Sequence, residues 1–159
     1  MAIMGFVGQN YGAGKMDRVR KTFRVSMAIF LCITLVVEAG VMYVGKYCVH
    51  YFIDDPEVIR YTWESLLFFV PFYVVWTFIE VNSGVLRGIG DAVVPVIITG
   101  TGICALRLVW CATVFQWFPT VAGVTSCYPV SWIITAVALF VYYRHGNWLK
   151  EDPDLIQNP

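Results

Sequence analysis

Apolar positions come in four long runs, at residues 25–45, 65–86, 93–115 and 121–143, separated by short polar breaks. Each run is long enough to cross a hydrocarbon core of about 30 Å, which takes about 20 helical residues. The runs do not alternate apolar and polar residues as the strands of a membrane barrel must. Helix is therefore the expected state, because a spanning helix satisfies its own backbone groups in lipid. The pattern predicts an all-α integral membrane protein, a polytopic bundle of four transmembrane helices.

The breaks between runs carry turn residues. The first, around residues 50–60, holds Asp54, Asp55, Pro56 and Glu57; the second reads RGIGDA at 87–92; the third, at 116–120, holds Pro119. Lysine and arginine then set the orientation. Lys15, Arg18, Arg20, Lys21, Arg24, Arg87, Arg144 and Lys150 fall on one side, and Lys46 and Arg60 on the other. The crowded side is expected to be cytoplasmic. Tyr43, Tyr47, Tyr51, Trp63, Trp117, Tyr142, Tyr143 and Trp148 mark the interfaces as an aromatic belt.

Composition agrees with a lipid environment. The 159 residues are 58% hydrophobic and 14% charged, and mean hydropathy is +0.67. A soluble domain is roughly 25% charged. Eleven basic residues balance eleven acidic ones, so no electrostatic footprint for nucleic acid exists. Five cysteines, without a CxxC pair, read as small apolar filler rather than as a disulfide frame or zinc site. Residues 1–7 read as a short apolar stub without a basic flank, so no signal peptide is expected there.

Three ionisable groups interrupt the runs, and each is costly in lipid, at least about 2.5 kcal/mol on insertion scales. At about 1.5 Å per residue, Glu38 and Arg107 both lie about 20 Å from the cytoplasmic face. Matching depth suggests an ion pair between the first and third spans; a direct part in transport and no contact at all are the other readings. Glu80 lies about 9 Å inside the same face. It either reaches out to the interface or a neighbouring helix, or it faces a cavity as a protonatable or cation-coordinating carboxylate. Asn82 follows two residues later. Tyr73 and Trp76 are deep enough to line a pocket for flat cations through their ring faces.

Pro71 and Pro129 are expected to kink their spans. The Gly84–Gly88 and Gly100–Gly102 pairs permit close helix approach. Residues 8–15, GQNYGAGK, fail as a phosphate loop, since Gln9 stands where the first glycine belongs and Met16 follows the lysine. Residues 84–90, GVLRGIG, fail as a dinucleotide fingerprint. Both read as flexible basic exits from helices. No Ser/His/Asp or Cys/His set assembles, because His50 and His145 fall on opposite sides, so the chain is not expected to be an enzyme.

The glycine segments also carry a resemblance. GQNYGAGK followed by DRVRK, a span, IDDPEVI, and then SGVLRGIGDAVVP resembles the multidrug and toxic compound extrusion (MATE) family. The matching residues are Gly8, Gln9, Asn10, Gly12, Gly14 and Lys15, then Arg87, Gly88, Gly90 and Asp91. CALRLVW in the third run and YPVSW in the fourth extend the likeness. The resemblance implies a two-lobed transporter that exchanges Na+ or H+ for organic cations and other drugs by alternating access in the plasma membrane. Residues 1–150 would then be most of a C-terminal lobe, from the end of the eighth helix through the twelfth, and residues 151–159 a polar cytoplasmic tail. Implied partners are membrane lipid, drug substrates and a missing N-terminal lobe; no cofactor or metal is implied beyond the coupling ion. Glu80, Asn82, Tyr73 and Trp76 are the cavity candidates. The alternatives are a lipid-linked saccharide flippase of the same superfamily, or a non-transporting membrane subunit.

Overall fold

In a computed structural model that describes residues 2–118 and 120–145, helix follows helix and no strand occurs among the described residues. The order is α1 (Ala2–Gly12), α2 (Met16–Phe52), α3 (Pro56–Phe69), a 3-10 turn (Val70–Phe72), α4 (Tyr73–Gly88), α5 (Val93–Gly100), a π-helical turn (Thr101–Ala105), α6 (Leu106–Trp117), α7 (Val121–Thr125) and α8 (Cys127–His145). End to end these elements make four rods long and apolar enough to cross a membrane: Met16–Phe52, Pro56–Gly88, Val93–Val114 and Val121–His145. The protein is a multi-pass helical bundle of the expected class. The tail at 151–159, Trp148, Lys150 and Pro119 lie outside the described residues.

Local chemistry explains the boundaries. Asp55 caps α3, its Oδ1 accepting from the Glu57 amide at 2.9 Å, and Pro56 occupies the first turn, where no donor is needed. Thr120 caps α7 in the same way, through the Gly123 amide at 3.1 Å. The two glycine segments end their helices alike. Gly14 and Gly90 take positive φ, 68° and 98°. Lys15 N–H then reaches back to Asn10 O at 2.9 Å and Asp91 N–H to Leu86 O at 3.1 Å. Gly14 N–H bonds Tyr11 O at 2.9 Å and Gly90 N–H bonds Arg87 O at 3.2 Å. These are two Schellman turns, the arrangement that satisfies the last carbonyls of a helix.

The core is built on α4. One side of it, through Ile79 and Leu86, packs on Trp132, Ala136 and Leu139 of α8. Another side, through Val81 and Val85, packs on Ile3 and Val7 of α1 and Val19 of α2. Small residues set the α1–α4 crossing. A Cβ on Gly88 would stand 2.8 Å from Val7 and 2.9 Å from Met4 O, and one on Gly84 would stand 2.7 Å from Ile3. Gly8 faces Gly88 O, so the two glycine motifs meet at one contact. The last turn of the bundle is tied down by Tyr142, whose hydroxyl donates to Asp91 in the α4–α5 turn.

Several expectations change. The apolar stub at the start is an eleven-residue helix, α1, with Val7 fully buried. Residues 8–12 are helical, so that motif is not a flexible exit until its turn at 13–15. Pro71 replaces one α turn by a 3-10 turn, as a missing donor dictates. The fourth rod carries its interruption just before Pro129 rather than at mid-length. That rod is interrupted at Ser126, and Pro129 falls in the first turn of α8, where its lost donor costs nothing. Gly102 lies hard against Thr135 of α8, while Gly100 faces open space. The π turn at Thr101–Ala105 had no signal in the hydrophobic pattern. The described cysteines are all free, with Cys127 buried and the other four exposed.

Candidate functional site

The α4 sequence places Trp76 and Thr77 three and four residues after Tyr73, then Glu80, Gly84 and Arg87 at further steps of three or four, so they share one stripe. This stripe is the wall of three adjoining grooves. The first, about 500 Å³, opens between α1, α2 and α4 and is lined by Phe30, Trp76, Thr77, Glu80 and Arg87 among others. The second, about 240 Å³, lies between α4 and the α5–π segment, with Glu80, Ser83, Arg87 and Thr99 on its walls. The third, about 490 Å³, lies between α2 and the α3–α4 junction, with Thr34, Glu38, Phe69, Tyr73, Trp76 and Thr77 on its walls. Trp76 borders all three.

Glu80 and Arg87 stand together on the partition between the first two grooves. Glu80 Oε2 lies 3.8 Å from Arg87 Nη2, and both side chains keep substantial exposure, 56% and 38%. The separation i to i+7 returns almost to the same helix azimuth, which makes the pair possible. At this length and exposure it contributes little to stability, within about 1 kcal/mol. Arg87 is also held from below, its Nε donating to Ser83 O at 3.1 Å. A loosely paired carboxylate on a groove wall can exchange its partner for another cation.

Tyr73 lines the third groove and Trp76 all three, and both pack on Trp132, at 5.2 and 5.8 Å between ring centroids. Asn82 lines none of the three. It is fully buried, with its amide donating to Phe78 O at 2.7 Å and Oδ1 left without a partner. The expected Glu38–Arg107 pair is not formed. Arg107 stacks on Tyr128 at 4.2 Å and its Nε donates to Ser131 Oγ at 3.4 Å. Glu38 faces the third groove from α2, with Oε1 buried and unpartnered. The series Tyr73, Trp76, Trp132, Tyr128 runs between the two environments. Equal depth placed the two charges at one level, but α2 packs on α4 while α6 packs on α8.

The motif residues divide by role. Gly8, Gly84 and Gly88 make the helix crossing, Gly14 and Gly90 make the turns, and Gly12 faces open space. Asn10 is buried and donates to Phe6 O at 2.7 Å, closing off its own helix. Gln9 and Lys15 lie at the turn, where the Ala13 amide reaches Gln9 O at 3.2 Å. Asp91 accepts from Tyr142 and, weakly, from the Val94 amide at 3.4 Å. The Glu80–Arg87 pair and the Tyr142–Asp91 tie went unnoticed in the sequence; the i,i+7 spacing of opposite charges was a readable signal for the first. A further polar link, between the Thr34 and Thr77 hydroxyls at 2.6 Å, joins α2 to α4 beside the third groove. Among the described residues no group of three or more His, Cys, Asp or Glu is placed to hold a metal ion.

Comparison with known proteins adds the following. The MatE family model matches residues 1–113. The Probable multidrug resistance protein YpnP of Bacillus subtilis (strain 168) is 27% identical over 150 residues, which are 92% of this chain and 33% of that protein. The chain thus spans about a third of the length of that relative. No solved structure matches.

Proposed function

Because the chain belongs to the MatE family, we propose that it forms part of a cation-coupled antiporter that exports organic cations and other xenobiotics by alternating access. The chain contributes most of a C-terminal lobe, residues 1–150, and works with an N-terminal lobe that supplies the rest of the central cavity. It sits in the plasma membrane with its basic ends in the cytoplasm. The coupling ion is Na+ or H+. The name of the Bacillus relative supports a drug cargo.

The observation that carries this reading is Glu80 on the wall between two grooves, loosely paired with Arg87. A carboxylate in that position can alternate between its tethered guanidinium and a mobile cation. Binding one cation at a time makes the two fluxes exchange rather than add. Trp76 beside it offers a ring face to a flat or quaternary cation.

Ethidium efflux from cells expressing the complete gene tests the assignment. Glu80→Gln keeps the shape and removes the charge, and is expected to lower efflux at least tenfold with the protein still in the membrane. Undiminished efflux in Glu80→Gln removes this carboxylate from the mechanism.

A further inference from the structure

The third groove holds a carboxyl group, that of Glu38, with one oxygen left without a hydrogen bond among the described residues. Glu38 projects from α2 into it, one turn beyond Thr34. Its carboxyl meets the Val74 backbone amide, at the start of α4 where the 3-10 turn around Pro71 has disturbed the helix ladder. Oε1 is nevertheless buried and has no hydrogen-bond partner among the described residues. The hydroxyls of Thr34 and Thr77 on the groove wall bond to each other at 2.6 Å. Among the described residues no lysine, arginine or histidine lines the groove. The ion pairs formed among the described residues, Arg60–Glu64 and Arg87–Glu80, both lie elsewhere.

We propose that this groove is a second binding site for a lipophilic organic cation, with Glu38 as its counter-charge and Phe69, Tyr73 and Trp76 as its ring faces. A buried carboxyl oxygen is costly without a cation or a donor beside it, and the described walls supply neither to Oε1. The remaining lining is aliphatic and aromatic, which suits a cation with an apolar body rather than a hydrated inorganic ion. The space, about 490 Å³, falls in the range of small-molecule sites and far exceeds a bare ion. Aromatic faces add attraction for a quaternary centre. The site is distinct from the Glu80 partition, although Trp76 and Thr77 border both. It lies deeper along the α2–α4 seam, so one cation could pass from Glu80 to Glu38 along a single wall. The ligand class rests on the transport reading above; the location and the counter-charge rest on the groove itself.

Binding can be read without transport, which separates failure of this site from failure of the antiport reading. The full chain is placed in lipid nanodiscs and tetraphenylphosphonium binding is measured by equilibrium dialysis, with empty nanodiscs subtracted. Saturable binding is expected, weakened at least about tenfold in Glu38→Gln and less in Glu38→Asp. Glu64→Gln, on the exposed face of α3, is expected to leave it unchanged. Val41→Trp keeps the carboxylate but fills the groove from α2, and is expected to abolish binding; it decides the matter if Glu38→Gln fails to fold. Unchanged binding in Glu38→Gln, or retained binding in Val41→Trp, overturns the proposal. Binding that survives Glu38→Gln and falls in Glu80→Gln overturns it too, by moving the site to the other groove. Displacement of the probe by 0.1 M NaCl but not KCl overturns the organic-cation assignment in favour of a sodium site.

Discussion

The rod from Pro56 to Gly88 is one continuous crossing whose two halves behave differently. In α4 eight residues are buried, from Thr77 to Leu86; in α3 none is. Yet α3 ends in Leu66, Leu67, Phe68 and Phe69, as apolar a stretch as any in the chain. What separates the halves is size. The second half of α4 reads Asn82, Ser83, Gly84, Val85, Leu86, Arg87 and Gly88, and its glycines let α1 close on it while Leu86 packs on α8. The large side chains of α3 hold neighbours away. In lipid an apolar surface gains nothing by leaving the solvent, so contact follows shape. The small-residue half is a clamp, and the large-residue half leaves grooves open beside α2.

The strongest way to break that contrast is to give the clamp bulk. Gly88→Leu drives a side chain into Val7 and the Met4 carbonyl, and backbone cannot yield as a flexible side chain can. The expected loss is about 3 kcal/mol or more, seen as a lowered thermal midpoint of the detergent-solubilised protein. Gly40→Leu on α2, where nothing lies within 4 Å, is expected to leave the midpoint nearly unchanged. Equal effects at the two positions would mean that α1 does not pack here.

The same contrast shows what the sequence could and could not disclose. The four crossings were legible because length and apolarity suffice to define a span. The role of Gly84 and Gly88 was legible because spacing by four places two small residues on one face. Glu80 was legible as an unusual charge near one membrane face, but depth alone left open whether it reaches the interface or a groove. Glu38 and Arg107 were misread for a definite reason. Helical rise yields depth from residue number, but which rods are neighbours depends on the whole set of side-chain shapes. Asn82 was misread for the same reason: a polar residue near Glu80 suggested a shared wall, and two residues turn the helix by about 200°. The π turn at Thr101–Ala105 was invisible, since an extra residue in a helical turn leaves an unbroken apolar run unbroken.

A second comparison removes bulk instead of adding it. Leu86 is fully buried, and Leu67 is 49% exposed. Leu86→Ala leaves a cavity between α4 and α8 and is expected to cost about 2 kcal/mol, at the low end for such truncations because lipid, unlike water, gives little transfer gain to lose. Leu67→Ala is expected to shift the thermal midpoint by less than a fifth as much. If the two truncations cost the same, burial in α4 and openness in α3 do not describe the folded protein in detergent.

The smallest effect belongs to the turn that closes the clamp. Gly90 lies two residues beyond Gly88 and has a different reason to be glycine. Its φ is +98° and nothing lies within 4 Å of where a Cβ would stand. Gly90→Ala therefore meets no neighbour, and its cost is that of an L-residue in a left-handed conformation, roughly 1 kcal/mol. Part of even that is offset, since alanine also restricts the unfolded chain. Asparagine tolerates the left-handed region better than alanine does, so Gly90→Asn is expected to recover part of the loss. Recovery by asparagine would separate a backbone requirement from a packing one; at Gly88 the order reverses, because asparagine is larger than alanine and the obstacle there is Val7. A thermal series of alanine and asparagine at both positions thus distinguishes the turn from the contact, and identical ranking at the two glycines would refute the division of labour between them.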